Sequence, residues 1–231
     1  MPVVAVRDIS MYYETHGSGH PLIVIGGVGL AVPEMRPLVD SLADRFQVVV
    51  LDNRGTGRSS VPRGRYSVQQ MAADVLALMV KLEIPHAHVV GISLGSRIAL
   101  HLALEHPDRV DRIVLISGAA RVGGQRGRMR LGIYLARLPV LGAPNPQPFH
   151  AMKAQFDASL GYDCTARLGE ITKSTLILQG RTDRLALPEM AEETHAGIAG
   201  SRLVMFDEGH RLAIEPAHRD VLSTTIADFL A

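Results

Sequence analysis

The sequence has no tryptophan, a single cysteine, few aromatic residues and no excess of charge of either sign. With 24 basic against 23 acidic side chains and a formal net charge of +1, the chain cannot present the broad phosphate-neutralising surface that nucleic-acid binding requires. Neither DNA nor RNA is expected as a partner. Cys164 alone permits no intramolecular disulfide and no thiolate-based metal cluster, which fits a reducing, cytoplasmic compartment. The stretch Met1 to Asp8 lacks a basic segment followed by a long apolar run, so no secretory signal is expected. The longest apolar run, Leu22 to Val32, is broken by three glycines and is too short to cross a bilayer. It reads instead as a buried strand entering a loop, and no membrane association is expected. Arginine outnumbers lysine and alanine is abundant, a composition that hints at a GC-rich bacterial genome.

What is present is enough apolar material for one core. At 231 residues and 47% hydrophobic, the chain reads as a single domain, residues 1–231. Short β-branched runs alternate with longer amphipathic segments, which predicts an α/β fold with a mostly parallel sheet flanked by helices. Strands are expected at 3–6, 11–16, 22–25, 47–51, 88–92, 112–116, 175–179 and 202–206. Helices are expected near 33–44, 68–82, 94–105, 188–195 and 216–230. Between about 118 and 172 the pattern becomes irregular, with helical patches at 129–138 and 150–160 and a proline-rich stretch from Pro139 to Pro148. This segment reads as an inserted cap.

The sharpest motif is Gly91-Ile92-Ser93-Leu94-Gly95, set between an apolar strand and a helical segment. That context matches a nucleophile elbow: small residues two positions either side of the serine let the chain turn abruptly and lift Oγ above the sheet. The new helix also directs its free N–H groups towards a developing oxyanion. The bland alternative is a chance match in a glycine-rich chain.

A serine hydroxyl needs a base, and the base needs a third group to fix its tautomer. Asp183 follows one apolar strand and His210 follows the last, giving the chain order Ser, Asp, His. Asp183 has an ordinary alternative as a helix-capping turn residue, with Asp207 and Glu208 as fallback acids. His210 has one as a surface histidine. The remaining histidines sit at strand starts, in helices or beside turns: His86 and His88 enter a strand, and His16 and His20 flank an early turn.

Together these segments resemble the α/β-hydrolase superfamily, particularly its small esterases and enol-lactonases, over nearly the whole chain. The resemblance extends to Asp52-Asn53-Arg54-Gly55-Thr56-Gly57-Arg58-Ser59, which is similar to the family's D-x-R-G-x-G-x-S loop, and to Glu105-His106-Pro107-Asp108-Arg109-Val110 and Glu208-Gly209-His210. It implies an oxyanion hole formed by the main-chain N–H groups of Val28 and Leu94, in a loop where Gly26 replaces the family's usual histidine. Loss of that histidine predicts a looser loop. The implied reaction is acyl transfer through Ser93, with no cofactor or metal. Aspartate-based dehalogenases and epoxide hydrolases of this fold are disfavoured by Ser93 and by the lack of tryptophan.

From Arg112 to Phe156 there is no Asp or Glu, whereas Arg121, Arg126, Arg128, Arg130, Arg137 and Lys153 are present. Gly27, Arg121, Arg128 and Met129 are therefore expected to contact substrate, with arginine holding a carboxylate of an enol-lactone or keto-acid ester. A solvated basic face is the competing reading. Three functions remain open on sequence alone: hydrolysis of an ester or lactone; carbon–carbon cleavage, thioester cleavage or cyclisation by the same triad; and ligand binding without catalysis. A small molecule is the expected partner, and self-association is left open.

Overall fold

The computed structural model describes residues 3–122 and 147–231. Eight strands form one sheet: β1 (Val3–Val6), β2 (Ile9–His16), β3 (His20–Ile25), β4 (Phe46–Leu51), β5 (Ala87–Ile92), β6 (Val110–Ile116), β7 (Ser174–Gly180) and β8 (Arg202–Phe206). Their spatial order is β1-β2-β4-β3-β5-β6-β7-β8. β2 runs antiparallel to β1 and β4, and every other pairing is parallel.

A parallel sheet covered on both faces is built from nearly continuous apolar strands, and β5 is buried at every position. The two-residue period then sorts side chains between two cores. Ile23, Val49, Val89, Ile113 and Ile177 join one core with α2 (Val68–Lys81) and α3 (Leu94–Glu105). Leu22, Val48, Val90, Val114 and Leu176 join the other with α1 (Val32–Ala43) and a C-terminal helix (Arg219–Leu230). Each fully buried aliphatic side chain stabilises the fold by roughly 2 kcal/mol. The start of α2 is fixed by Ser67, whose hydroxyl accepts from the Gln70 N–H at 3.0 Å.

Between β6 and β7 the described part of the irregular segment contains α4 (Phe149–Leu160) and a 3-10 turn at Thr165–Glu170. Buried Ala154 and Ala158 seat α4 on the α2/α3 core. The expected helical patch at 129–138 lies outside the described residues. α5 (Pro188–Gly197) and the C-terminal helix, α6, complete the layers. Several elements start earlier than the sequence predicts, and the final helix starts later: residues 216–218 form a separate 3-10 turn. Among the described residues, no helix is long and apolar enough to cross a membrane.

Candidate active site

Ser93 stands between the end of β5 and the start of α3, with φ 54° and ψ −109°. Such a backbone is strained for a residue with a Cβ, and it persists only where the surroundings enforce it. Here they do: a Cβ on Gly91 would lie 2.3 Å from the Gly95 carbonyl oxygen, and one on Gly95 would lie 2.1 Å from that of Ile25. Only glycine permits the turn. The Ser93 N–H is held by the Ile116 carbonyl at 2.8 Å, which ties the elbow to β6.

The loops after β7 and β8 bring the other two groups to the same edge. They are laced together by Arg181 N–H to Phe206 O (2.8 Å) and Thr182 N–H to Glu208 O (3.0 Å). His210 Nε2 lies 3.0 Å from Ser93 Oγ, and His210 Nδ1 lies 2.8 Å from Asp183 Oδ2. A ring nitrogen facing a carboxylate must carry the proton, so Nε2 presents its lone pair to the serine hydroxyl. Asp183 is 2% exposed. Its Oδ1 accepts from the Leu185 and Ala186 N–H groups at 2.8 and 2.9 Å, and its Oδ2 also accepts from Gln179 Nε2 at 3.1 Å. These donors keep the carboxylate aimed at His210. The fallback acids are engaged elsewhere, Asp207 with Arg181 and Glu208 with the Gly209 N–H and His218.

The glycine loop after β3 comes up against the serine from the other side. A Cβ on Gly27 would lie 3.1 Å from Ser93 Cβ and 3.7 Å from its Oγ, so this loop packs tightly against the nucleophile. Val28 is half-buried beside Ser93 in the same pocket, and Leu94 opens α3 directly after it. Side-chain amides, in place of the expected histidine, bond this loop. Asn53 Nδ2 donates to the Gly26 carbonyl at 2.9 Å, and the fully buried Gln155 of α4 accepts from the Gly29 N–H at 2.8 Å. Gln155 also donates to Arg54 O and Thr56 Oγ1, each at 2.7 Å.

The Asp52–Ser59 segment is the frame for that loop. Asp52 accepts from the Val32 and Arg58 N–H groups at 2.7 and 2.9 Å. Arg54, 1% exposed, makes a bidentate contact with Asp74 at 2.6 and 2.8 Å and reaches Asp8 as well.

Described residues around Ser93 line a pocket of about 200 Å³, mostly apolar, with Leu30, Phe156 and Ile214 among its walls. Two arginines line it, Arg97 and the exposed Arg211, and neither is among those predicted. Arg97, one helical turn beyond Ser93, is 3% exposed. Its two terminal nitrogens donate to the carbonyls of Ser93 (3.3 Å) and Arg121 (3.1 Å), and its Nε has no partner. Among the described residues no carboxylate pairs with it, and residues 123–146 contain no Asp or Glu. Burial pushes its pKa down to about 10, which still leaves it charged at neutral pH.

Arg121 is not among the described residues that line this pocket, and its Nε donates to Glu193 of α5 at 2.8 Å. Arg128 and Met129, with Arg126, Arg130 and Arg137, lie outside the described residues. The sequence signal for Arg97 was a lone cation within the apolar run of α3, four positions after the serine.

A family model described as the alpha/beta hydrolase fold matches residues 20–125. A protein of Azorhizobium caulinodans provisionally named carbamate hydrolase RutD is 29% identical, over 90% of this chain and 91% of that one. One of the same name from Caulobacter segnis is 30% identical, over 75% and 79% respectively. The crystal structure of the enol-lactonase from Burkholderia xenovorans LB400 superposes with a TM-score of 0.84 at 27% identity, over 99% of each chain.

Proposed function

Because the chain belongs to the α/β-hydrolase superfamily and is a hydrolase, we propose that it cleaves a small carboxylic ester or lactone through an acyl-enzyme on Ser93. The observation that carries this reading is the relay of 3.0 and 2.8 Å contacts from Ser93 through His210 to Asp183. In the proposed reaction His210 Nε2 takes the hydroxyl proton as Oγ attacks the carbonyl carbon. The oxyanion that forms faces the main-chain N–H groups of Val28 and Leu94, each worth roughly 3 kcal/mol of transition-state stabilisation. The imidazolium then protonates the leaving alkoxide. Water, deprotonated by the same nitrogen, attacks the acyl-enzyme and restores the serine. Asp183 stays ionised throughout, orienting the ring and stabilising its charged form.

Arg97 narrows the substrate class. A buried guanidinium without a carboxylate partner favours an anion in the pocket, so the proposed substrates carry a carboxylate besides the scissile bond. The role first assigned to Arg121 passes to Arg97. The alternative of binding without catalysis gives way to a hydrolase.

A second reading rests on the relatives' name: a carbamate carbonyl is open to the same attack. Turnover of p-nitrophenyl esters, lactones and carbamates separates the two. The proposal expects esters or lactones to be the better substrates, with Ser93→Ala losing the activity. Unchanged turnover in Ser93→Ala rejects the nucleophile, and carbamates outpacing all esters and lactones favours the second reading.

A further inference from the structure

At the edge of the sheet opposite Ser93, the starts of three adjacent parallel strands bring together His20 of β3, His88 of β5 and Asp111 of β6. One donor atom from each lies within 4.8 Å of the others. The His20 and His88 rings are 4.4 Å apart between centroids, and His20 Nε2 is 2.7 Å from Asp111 Oδ2. His86, on the other side, places Nδ1 2.8 Å from the same carboxylate oxygen. These contacts account for His20, His86 and Asp111 as an ordinary surface cluster. They do not account for Nδ1 of His88: the residue is 7% exposed, its ring packs edge-on against Phe46 and bonds the main chain at Leu230, and Nδ1 is left with no hydrogen-bond partner. A buried ring nitrogen beside another imidazole and a carboxylate is the arrangement a metal ion completes.

We propose that His20, His88 and Asp111 bind a divalent transition-metal ion, with Zn²⁺ the best match to two imidazoles and one carboxylate. Donors about 2.0–2.2 Å from a tetrahedral zinc stand roughly 3.4 Å from one another. Ligand atoms already within 4.8 Å reach that spacing by small side-chain rotations, with the His20 to Asp111 hydrogen bond exchanged for two bonds to the ion. His86 remains on the carboxylate and orients it, the part an outer-shell partner plays. The exposed face of His20 gives the ion its route in. His88 is the second residue of β5 and Ser93 follows its last, five residues apart, which is about 16 Å along a strand. The ion therefore braces three strand starts and takes no part in the acyl chemistry.

Titration of chelator-treated protein with ZnCl₂ by calorimetry tests this. One ion per chain is expected, and at a hundredfold excess over Kd the melting temperature rises by about 5 °C or more. His20→Ala and Asp111→Asn, both at partly exposed positions, should each weaken binding at least tenfold, while His195→Ala, on α5, should not. Co²⁺ should give the intense visible absorption of a four-coordinate site, and His88→Gln should abolish it. Absence of binding at 100 µM Zn²⁺, or binding untouched by the His20 and Asp111 substitutions, overturns the proposal. Because the ion lies far from Ser93, ester turnover is expected to survive chelation, so this result and that of the proposed reaction are read separately.

Discussion

Replacing Arg97 by methionine keeps most of the side-chain volume but removes the buried one of the two arginines among the described residues that line the pocket, leaving the exposed Arg211. A hydrogen bond to a charged group is worth about 1.5–3 kcal/mol, and about 1.4 kcal/mol is a factor of ten. Arg97→Met should therefore lower kcat/KM for an ester bearing a free carboxylate roughly 10- to 100-fold. For the neutral methyl-capped analogue the change should be about threefold or less, apart from any general loss. Such a loss is expected, because the Ser93 and Arg121 carbonyls each lose a donor in the variant. It falls on both substrates alike, so the informative quantity is the ratio of the two rates. Removing a buried cation that lacks a carboxylate partner also relieves a desolvation cost, and folding stability should change by no more than about 1–2 kcal/mol. A parallel urea melt checks that. An unaltered selectivity ratio refutes the assignment and leaves Arg97 as a strut between α3 and the loop at Arg121.

Asp183→Asn should leave KM nearly unchanged and cut kcat by about 10³- to 10⁴-fold, since the ring loses the partner that fixes its tautomer; steady-state kinetics on any good ester decides it. Gln155→Leu strips the Gly29 N–H of its buried acceptor at 2.8 Å and should cost about 2–4 kcal/mol in a urea melt while lowering kcat more than KM. Equal kcat in that variant argues against any role for α4 in holding the glycine loop. Gly95→Ala, whose Cβ would meet the Ile25 carbonyl oxygen at 2.1 Å, should destabilise by about 3 kcal/mol or more and abolish turnover.

The fold was legible because its central strands are covered on both faces, so Leu22–Ile25 and Val89–Ile92 read as buried, nearly continuous apolar runs. Boundaries slipped where polar residues pair at the sheet's rim: β6 starts at Val110, two residues before the expected Arg112, because Asp111 looks like a turn residue. The elbow compresses strand, turn and helix into five residues, so local chemistry was enough to single out Ser93 as the candidate. Asp183 and His210 followed from their places after strands. What could not be read was long-range. Asn53 and Gln155 meet the glycine loop across 27 and 126 residues of chain, and Glu193 claims Arg121 across 72. Arg97 sits in a helix buried on nearly every side, and the loops after β3, β7 and β8 together with Phe156 and Ser159 of α4 build the pocket beside it.

The central claim is that Ser93 is the nucleophile and that His210 and Asp183 activate it. The most direct measurement is intact and peptide mass spectrometry after treatment with a fluorophosphonate, which labels a serine only where base and oxyanion donors are already assembled. One adduct per chain, on the peptide containing Ser93, absent in Ser93→Ala and strongly slowed in His210→Ala, is the predicted result. An adduct on another residue, or labelling at the full rate without His210, would contradict it.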